Sequence, residues 1–501
     1  MGALDDGGAV VSARRDIVAA VARHALSVGA GVLTIAMLGR GLGRSALGAW
    51  ALIGTSATLI SLADLGLSSV ALKQSICDEE GTVAARAVAL SQWTTLMLAP
   101  AFAALSYWVY LSELRGAIDA SVASSRALSV AGAAALLAGS ITAYSSAQRA
   151  WLVGKGATRA LAAARASGAI AQVSLTAIGL WMRWGIAAPA LGVLGSSVIE
   201  TLMVARSAQW IDARVRVVPR GIPQVKEWRE AVRESSAALA INAAAVLAVR
   251  VDVAVLARVA PLAAVGAYQV SLRVTDQLFT LVKQVGAAMQ HRLGTRQGRD
   301  ETLTFGTIVM TSTFASAVIA LAFCGRALLR AWAGPVVDES IFGLSLALTG
   351  LGAVIAMSSE LASAGLNVAA RSQWSGARPH ILGSVANAVI TLGGASYLGV
   401  WAVAGGTIVG NAVIAALTYR SLLALNQTSA RAQLVALAPI AAPVLVSFVL
   451  GALLAPRSLT VLGSLVACSV TGIAAAATLW ITLRRASAQE TECTSLSLQR
   501  P

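Results

Sequence analysis

Seven polar residues fall at three- and four-residue steps between positions 269 and 284: Gln269, Arg273, Asp276, Gln277, Thr280, Lys283 and Gln284. That spacing puts them on one face of an α-helix. The residues between them are largely apolar, so the stripe would run along a helix otherwise suited to lipid. Lipid cannot satisfy such groups, and charges on a membrane helix face a protein interior or a water-filled cavity. Two chemistries fit. In one, Arg273 pairs with Asp276 one turn on, and Arg250 or Asp252 from the preceding helix completes a structural ion-pair network. In the other, Arg273 and Arg250 line a cavity and bind an anionic group, for which forked guanidinium donors suit phosphate. Asp276 then positions Arg273, and Gln269, Gln277 and Thr280 supply further polar contacts. Arg250 and Asp252 are two residues apart and face differently, so they do not simply neutralise each other. Asp252 is also near enough to one interface for a wet position.

Three more carboxylates stand inside apolar stretches: Asp64, Glu200 and Glu360, the last with Ser363 and Asn367 along its side. Each reads either as a helix–helix hydrogen-bond partner or as a group coupling transport to an ion. Nothing in the sequence points to catalysis. His24, His291 and His380 are scattered and lack the HExxH spacing, no Walker loop is present, and Cys77, Cys324, Cys468 and Cys493 have neither metal nor disulfide spacing. No metal or cofactor is called for. Asn426-Gln-Thr is formally a glycosylation sequon, but it falls in a segment expected to be cytoplasmic.

The elements that must hold these residues follow from composition. The chain of 501 residues is 57% hydrophobic and 12% charged, with a mean hydropathy of +0.74. Soluble domains carry about 25% charged residues, and the apolar runs here repeatedly reach the ~20 residues that cross a bilayer as a helix. Short alternating segments, which a β-barrel needs, are missing. The expected fold is therefore all-α, a polytopic membrane protein of about 14 transmembrane helices. Approximate spans are 18–38, 50–71, 88–109, 127–147, 160–182, 186–206, 235–257, 263–286, 303–325, 340–365, 379–398, 400–420, 434–455 and 459–482.

With the first residue inside, roughly 27 of the 38 Lys and Arg fall in cytoplasmic segments and roughly nine outside. The positive-inside rule then places both termini in the cytoplasm, and it accounts for the formal charge of +15 without nucleic acid. The N-terminus reads as a cytoplasmic tail, because acidic residues precede its basic pair and no cleavage site follows. Eight Trp near span ends read as interfacial anchors. The expected organisation is a six-helix bundle over 1–206, a cytoplasmic basic linker over 207–234, a second six-helix bundle over 235–424, two additional helices within 425–484 and a tail over 485–501. An amphipathic piece near 225–232 suits the membrane surface.

The sequence repeats itself. Ala36–Trp50 aligns without a gap on Ala254–Tyr268, setting Arg40 on Arg258, Gly48 on Gly266 and Trp50 on Tyr268. Six spans separate the copies, so the two halves share a topology, as in the repeats of secondary transporters. The positions matching Arg273 and Asp276 are Thr55 and Thr58. The scaffold is duplicated while the charged stripe belongs to the second half alone.

These features carry a resemblance. Arg40-Gly-Leu-Gly-x3-Leu-Gly-Ala-Trp50, Asp64-Leu-Gly-Leu, Arg250-Val-Asp252 followed by Val265-Gly-Ala-Tyr268 and Arg273, and the turn Leu329-Arg-Ala-Trp-Ala-Gly334 are similar to runs in the polysaccharide-unit (Wzx-type) flippases. Those proteins belong to the multidrug/oligosaccharidyl-lipid/polysaccharide exporter superfamily. Gly-Ala-Trp stands where the family's first turn has a Tyr-Gly form, and the family's cavity arginines carry over to Arg250 and Arg273. The resemblance implies a flippase in the cell inner membrane that moves undecaprenyl-pyrophosphate-linked oligosaccharide to the outer leaflet by alternating access. Its partners would be that lipid-linked oligosaccharide, membrane lipids, and polysaccharide polymerase and export proteins. Asp276 would position Arg273 or accept sugar hydroxyls. Two alternatives stand beside it. One is a cation-coupled drug or metabolite exporter of the same superfamily, with Asp64, Glu200 or Glu360 as the coupling carboxylate. The other is a polytopic glycosyltransferase or ligase, which would usually carry a large external loop, whereas no external loop here exceeds roughly 20 residues.

Overall fold

The computed structural model describes residues 29–77, 81–117, 125–219, 221, 223–289, 296–369, 374–426 and 438–498. These form α-helices joined by turns and short 3-10 segments, with no strand among the described residues. In order, the helices are α1 (29–41), α2 (Arg44–Thr58), α3 (Leu67–Cys77), α4 (Thr82–Ala117), α5 (Ser125–Tyr144), α6 (Ser146–Gly154), α7 (Thr158–Trp181) and α8 (Ala187–Ile211). There follow α9 (Val225–Val259), α10 (Leu262–Met289), α11 (Arg296–Cys324), α12 (Arg326–Ala333), α13 (Ser340–Ala369) and α14 (Trp374–Leu398). The last three are α15 (Val400–Asn426), α16 (Ala441–Leu454) and α17 (Val461–Leu498).

Among the described residues, eleven helices are long and apolar enough to cross a membrane, and they coincide with the expected spans two to six and nine to fourteen. The first expected span is described only from residue 29, within α1, and the N-terminal tail lies outside the described residues. The seventh and eighth are α9 and α10, of 35 and 28 residues. The polytopic all-α expectation holds.

The chain divides into two compact units, Met1–Gln269 with Ala388–Val403, and Val270–Asn387 with Ala404–Pro501. The first unit is packed from small side chains, which let helices approach closely where lipid offers no hydrophobic drive. Ala71, Ala84, Ala147, Ala164 and Ala208 surround Trp151 and Leu152 in one buried cluster. The second expected span is not one helix here. A 3-10 segment, Leu59–Asp64, follows α2, Leu65 and Gly66 turn left-handed (φ 51° and 75°), and α3 begins at Leu67. Gly66 is needed both for that backbone and for space, since a Cβ there would sit 2.8 Å from the Leu239 nitrogen of α9.

The aligned glycines of the repeat meet each other. A Cβ on Gly266 would lie 2.8 Å from the Arg44 carbonyl and 3.1 Å from the Gly48 nitrogen, and one on Gly48 would overlap the Leu262 carbonyl. The shared Gly-Ala-aromatic frame is thus where α2 and the start of α10 cross.

The connector between α8 and α9 is tied down. Gln92 and Gln148 donate to the Arg216 carbonyl (3.1 and 2.8 Å), Tyr144 donates to the Val217 carbonyl, and Trp93 donates to the Gly221 carbonyl at 2.8 Å. The stretch near 225–232, expected on the membrane surface, is instead the first part of α9. A capping box of Gln224 and Glu227 starts that helix, Glu227 pairs with Arg86, and Glu234 pairs with Lys73 at 2.7 Å. Those ion pairs hold it against α3 and α4.

In the second unit, Met310, Phe314 and Val318 of α11 pack on Met357 and Leu361 of α13, on Val282 of α10 and on Leu422 of α15. Phe279 meets Phe314 edge-on at 5.8 Å. A groove of about 500 Å³ opens along α11, α16 and α17, lined by Phe305, Val309, Leu321, Pro443, Leu479 and Trp480 among mainly apolar residues.

Candidate functional site

Helix α10 buries one face and exposes the other. Val270, Ser271, Val274, Thr275 and Val282 are buried. Ser271 donates to the Phe342 carbonyl at 3.2 Å, and Thr275 meets Thr349 at 3.3 Å, which fixes that face on α13. Arg273 and Asp276 are exposed, Gln277 and Thr280 are half-buried, and the Thr280 hydroxyl donates to the Asp276 carbonyl at 2.8 Å. No ion pair joins Arg273 to Asp276 among the described residues. Gln269 is 9% exposed, and its side-chain oxygen has no hydrogen-bond partner among the described residues. The side chains of Arg250, Lys283 and Gln284 lie outside the described part. In the repeat the matching hydroxyls bond to their own helix, with Thr55 donating to the Ala51 carbonyl (2.7 Å) and Thr58 to the Gly54 carbonyl (2.8 Å). No charge stands at either of these two positions of α2, so the Arg273–Asp276 pair has no counterpart there.

Asp252 is not in a wet position. It is 3% exposed on α9 and accepts hydrogen bonds from the hydroxyls of Thr391 (3.1 Å) and Tyr268 (3.4 Å), both wholly buried. A carboxylate in an apolar interior needs partners of this kind to stay there. The arrangement also gives the aromatic of the repeat a task, because Tyr268 leaves the Gly266 crossing and reaches back to α9.

Asp64 is buried at the break in the second span. One oxygen accepts from the Ser146 hydroxyl at 2.8 Å and the other from the Ser68 backbone N–H at 3.4 Å, so it caps α3 and ties it to α6. Glu200 on α8 is also buried and holds two arginines. Arg149 of α6 reaches one of its oxygens at 3.0 Å and Arg165 of α7 the other at 2.6 Å. Arg149 further donates to the Thr142 carbonyl and, at 2.9 Å, to the Ser145 hydroxyl. Glu360 is half-buried on α13, where the neighbouring Ser363 meets His380 of α14 at 3.3 Å.

Reasoning from sequence missed Arg149 and Arg165, which it counted among the topology-setting cations. A signal was present. Arg165 lies five residues inside its expected span and Glu200 six residues inside the next, so the two sit at similar depth on adjacent antiparallel helices. Among the described residues no group of three His, Cys, Asp or Glu could hold a metal ion.

No protein-family model matches the chain, and no curated protein does. Solved structures match. The lipid II flippase MurJ in an inward closed conformation gives a TM-score of 0.66 at 12% identity, covering 93% of this chain and 98% of its own. An inward-facing multidrug resistance MATE family transporter of the MOP superfamily gives 0.61 at 17% identity, covering 82% of this chain and 100% of its own. A MOP superfamily transporter from Pyrococcus furiosus, described as having a binding pocket of reversed polarity, gives 0.59 at 17% identity over 83% and 96%. The fold is that of these transporters and flippases.

Proposed function

We propose that the protein is a flippase that moves undecaprenyl-pyrophosphate-linked oligosaccharide from the cytoplasmic to the outer leaflet of the inner membrane, with both termini in the cytoplasm. The observation that carries this reading is the exposed Arg273–Asp276 stripe on α10, within a fold shared with a lipid flippase. A guanidinium on a membrane helix, with no ion-pair partner among the described residues, is suited to a pyrophosphate headgroup, to which Arg offers two parallel donors. Gln269, Gln277 and Thr280 of the same helix extend it toward sugar hydroxyls. The apolar groove along α11, α16 and α17 suits a prenyl chain, which a water-soluble drug would not need. MurJ covers 93% of the chain where the MATE transporter covers 82%, which also favours the lipid substrate. No step of this process calls for catalysis.

The runner-up, a cation-coupled drug or metabolite exporter, draws on Asp252. A buried carboxylate among hydroxyl groups is a group whose charge state can be linked to a conformational change. The two readings separate on deletion of the gene and extraction of lipid-linked intermediates. Accumulation of an oligosaccharide-bearing lipid on the cytoplasmic leaflet supports the flippase, and no accumulation of any such lipid overturns it.

A further inference from the structure

Arg149, Arg165 and Glu200 form a charged cluster inside the first unit. It sits at the end of the first unit that carries the basic connector, about two helical turns, or ~10 Å, from the turn at Lys155–Ala157. Two guanidiniums meet one carboxylate, so these three residues together carry one positive charge. Glu200 is 9% exposed, while Arg149 and Arg165 are 24% and 40% exposed and can be reached from outside. A charged side chain within a span needs water or a counter-group.

The two arginines approach the carboxylate in one arrangement. Each gives an N–H to a different oxygen, at 3.0 Å from Arg149 and 2.6 Å from Arg165. Paired oxygens held by two converging guanidiniums are the pattern by which Arg recognises phosphate as well as carboxylate. One terminal nitrogen of Arg149 is held by Thr142 and Ser145, which leaves the other aimed at the Glu200 carboxylate. Lys155 and Arg159 stand at the neighbouring turn and add to the positive field that gathers anions there.

We infer that Arg149 and Arg165 form a second anion-binding station, specific for a phosphate or pyrophosphate group, whose place is held by the Glu200 carboxylate until that group displaces it. The identity of the anion as a lipid headgroup rests on the flippase reading, and the anion site itself does not. The station would receive the headgroup on the connector side of the membrane.

The test uses the purified full chain in lipid nanodiscs with inorganic pyrophosphate as the probe, read as a shift in thermal unfolding and as a dissociation constant. Stabilisation of the wild type by pyrophosphate is expected. Arg165→Gln should weaken the probe on the order of tenfold, as loss of a charge-assisted hydrogen bond does. Glu200→Gln should do the opposite, lowering the unfolding temperature while tightening the probe, because the competing carboxylate is gone. A cluster that only staples helices predicts that both variants lose stability and neither changes affinity, and that result overturns the inference. It is equally overturned if pyrophosphate does not stabilise the wild type. Lipid transport that persists alongside either negative result leaves the flippase reading intact. A station that binds pyrophosphate in a chain that moves no lipid overturns the reading and keeps the station.

Discussion

At the scale of single residues, the molecule separates charges that hold the fold from charges that face outward. Asp64, Asp252 and Glu200 are all buried and all have hydrogen-bond donors on their oxygens. Arg273 and Asp276 are exposed on a helix whose other face is packed. Replacing Arg273 with Ala is expected to abolish export while leaving membrane levels of the protein unchanged, which immunoblotting beside an export assay checks. Asp252→Ala strands the hydroxyls of Tyr268 and Thr391. Its expected cost is ~1–3 kcal/mol of stability, the penalty for leaving a buried polar group unpaired, whereas Asp252→Asn should cost less because it keeps an acceptor. Thermal unfolding in detergent distinguishes the two. That one helix carries Gln269, Arg273, Asp276 and Thr280 was legible in the periodicity of the sequence, while the burial of Gln269 beside an exposed Arg273 was not. The partners of Asp252 were not, because Thr391 is remote in the chain and nothing in its neighbourhood marks it as facing α9.

At the scale of elements, the crossing of α2 and α10 explains why the repeat preserves a glycine at Gly48 and Gly266. Each faces the other helix's backbone with no room for a Cβ. Gly48→Ala and Gly266→Ala are each expected to lose ~1–3 kcal/mol, the usual cost of overpacking. Gly54 lies in the same helix, with nothing within 4 Å of a Cβ, and its change to Ala should be neutral or gain ~0.5–1 kcal/mol. Removing the buried carboxylate in Glu200→Ala leaves two arginines facing one another, and a loss of ~3–5 kcal/mol follows from breaking such a pair. Here the sequence was less informative. It located eleven of the spans because hydropathy fixes where a helix must cross. It could not locate the break after Thr58, since Leu65 is a residue that rarely turns left-handed and only its surroundings hold it there. Nor could it show that the connector is pinned, because the acceptors at Arg216, Val217 and Gly221 are backbone carbonyls and carry no residue identity.

At the scale of the whole molecule, the account joins a duplicated scaffold to chemistry that is not duplicated. The repeat supplies helices, turns and the glycine crossing, while the exposed charged stripe sits on α10 alone. The polytopic all-α fold, which MurJ and MATE transporters share, was legible in the hydropathy of the spans. The substrate was not, because a binding face is read by which groups it exposes and those depend on packing. Reconstitution into vesicles carrying a fluorescent prenyl-pyrophosphate-linked oligosaccharide in one leaflet tests the central claim most directly, with leaflet position read by quenching with a membrane-impermeant reductant. The account predicts that the wild-type chain moves the label across the bilayer and that Arg273→Ala, reconstituted at equal density, leaves it where it began. Equal movement by both chains, or no movement by the wild type, contradicts it.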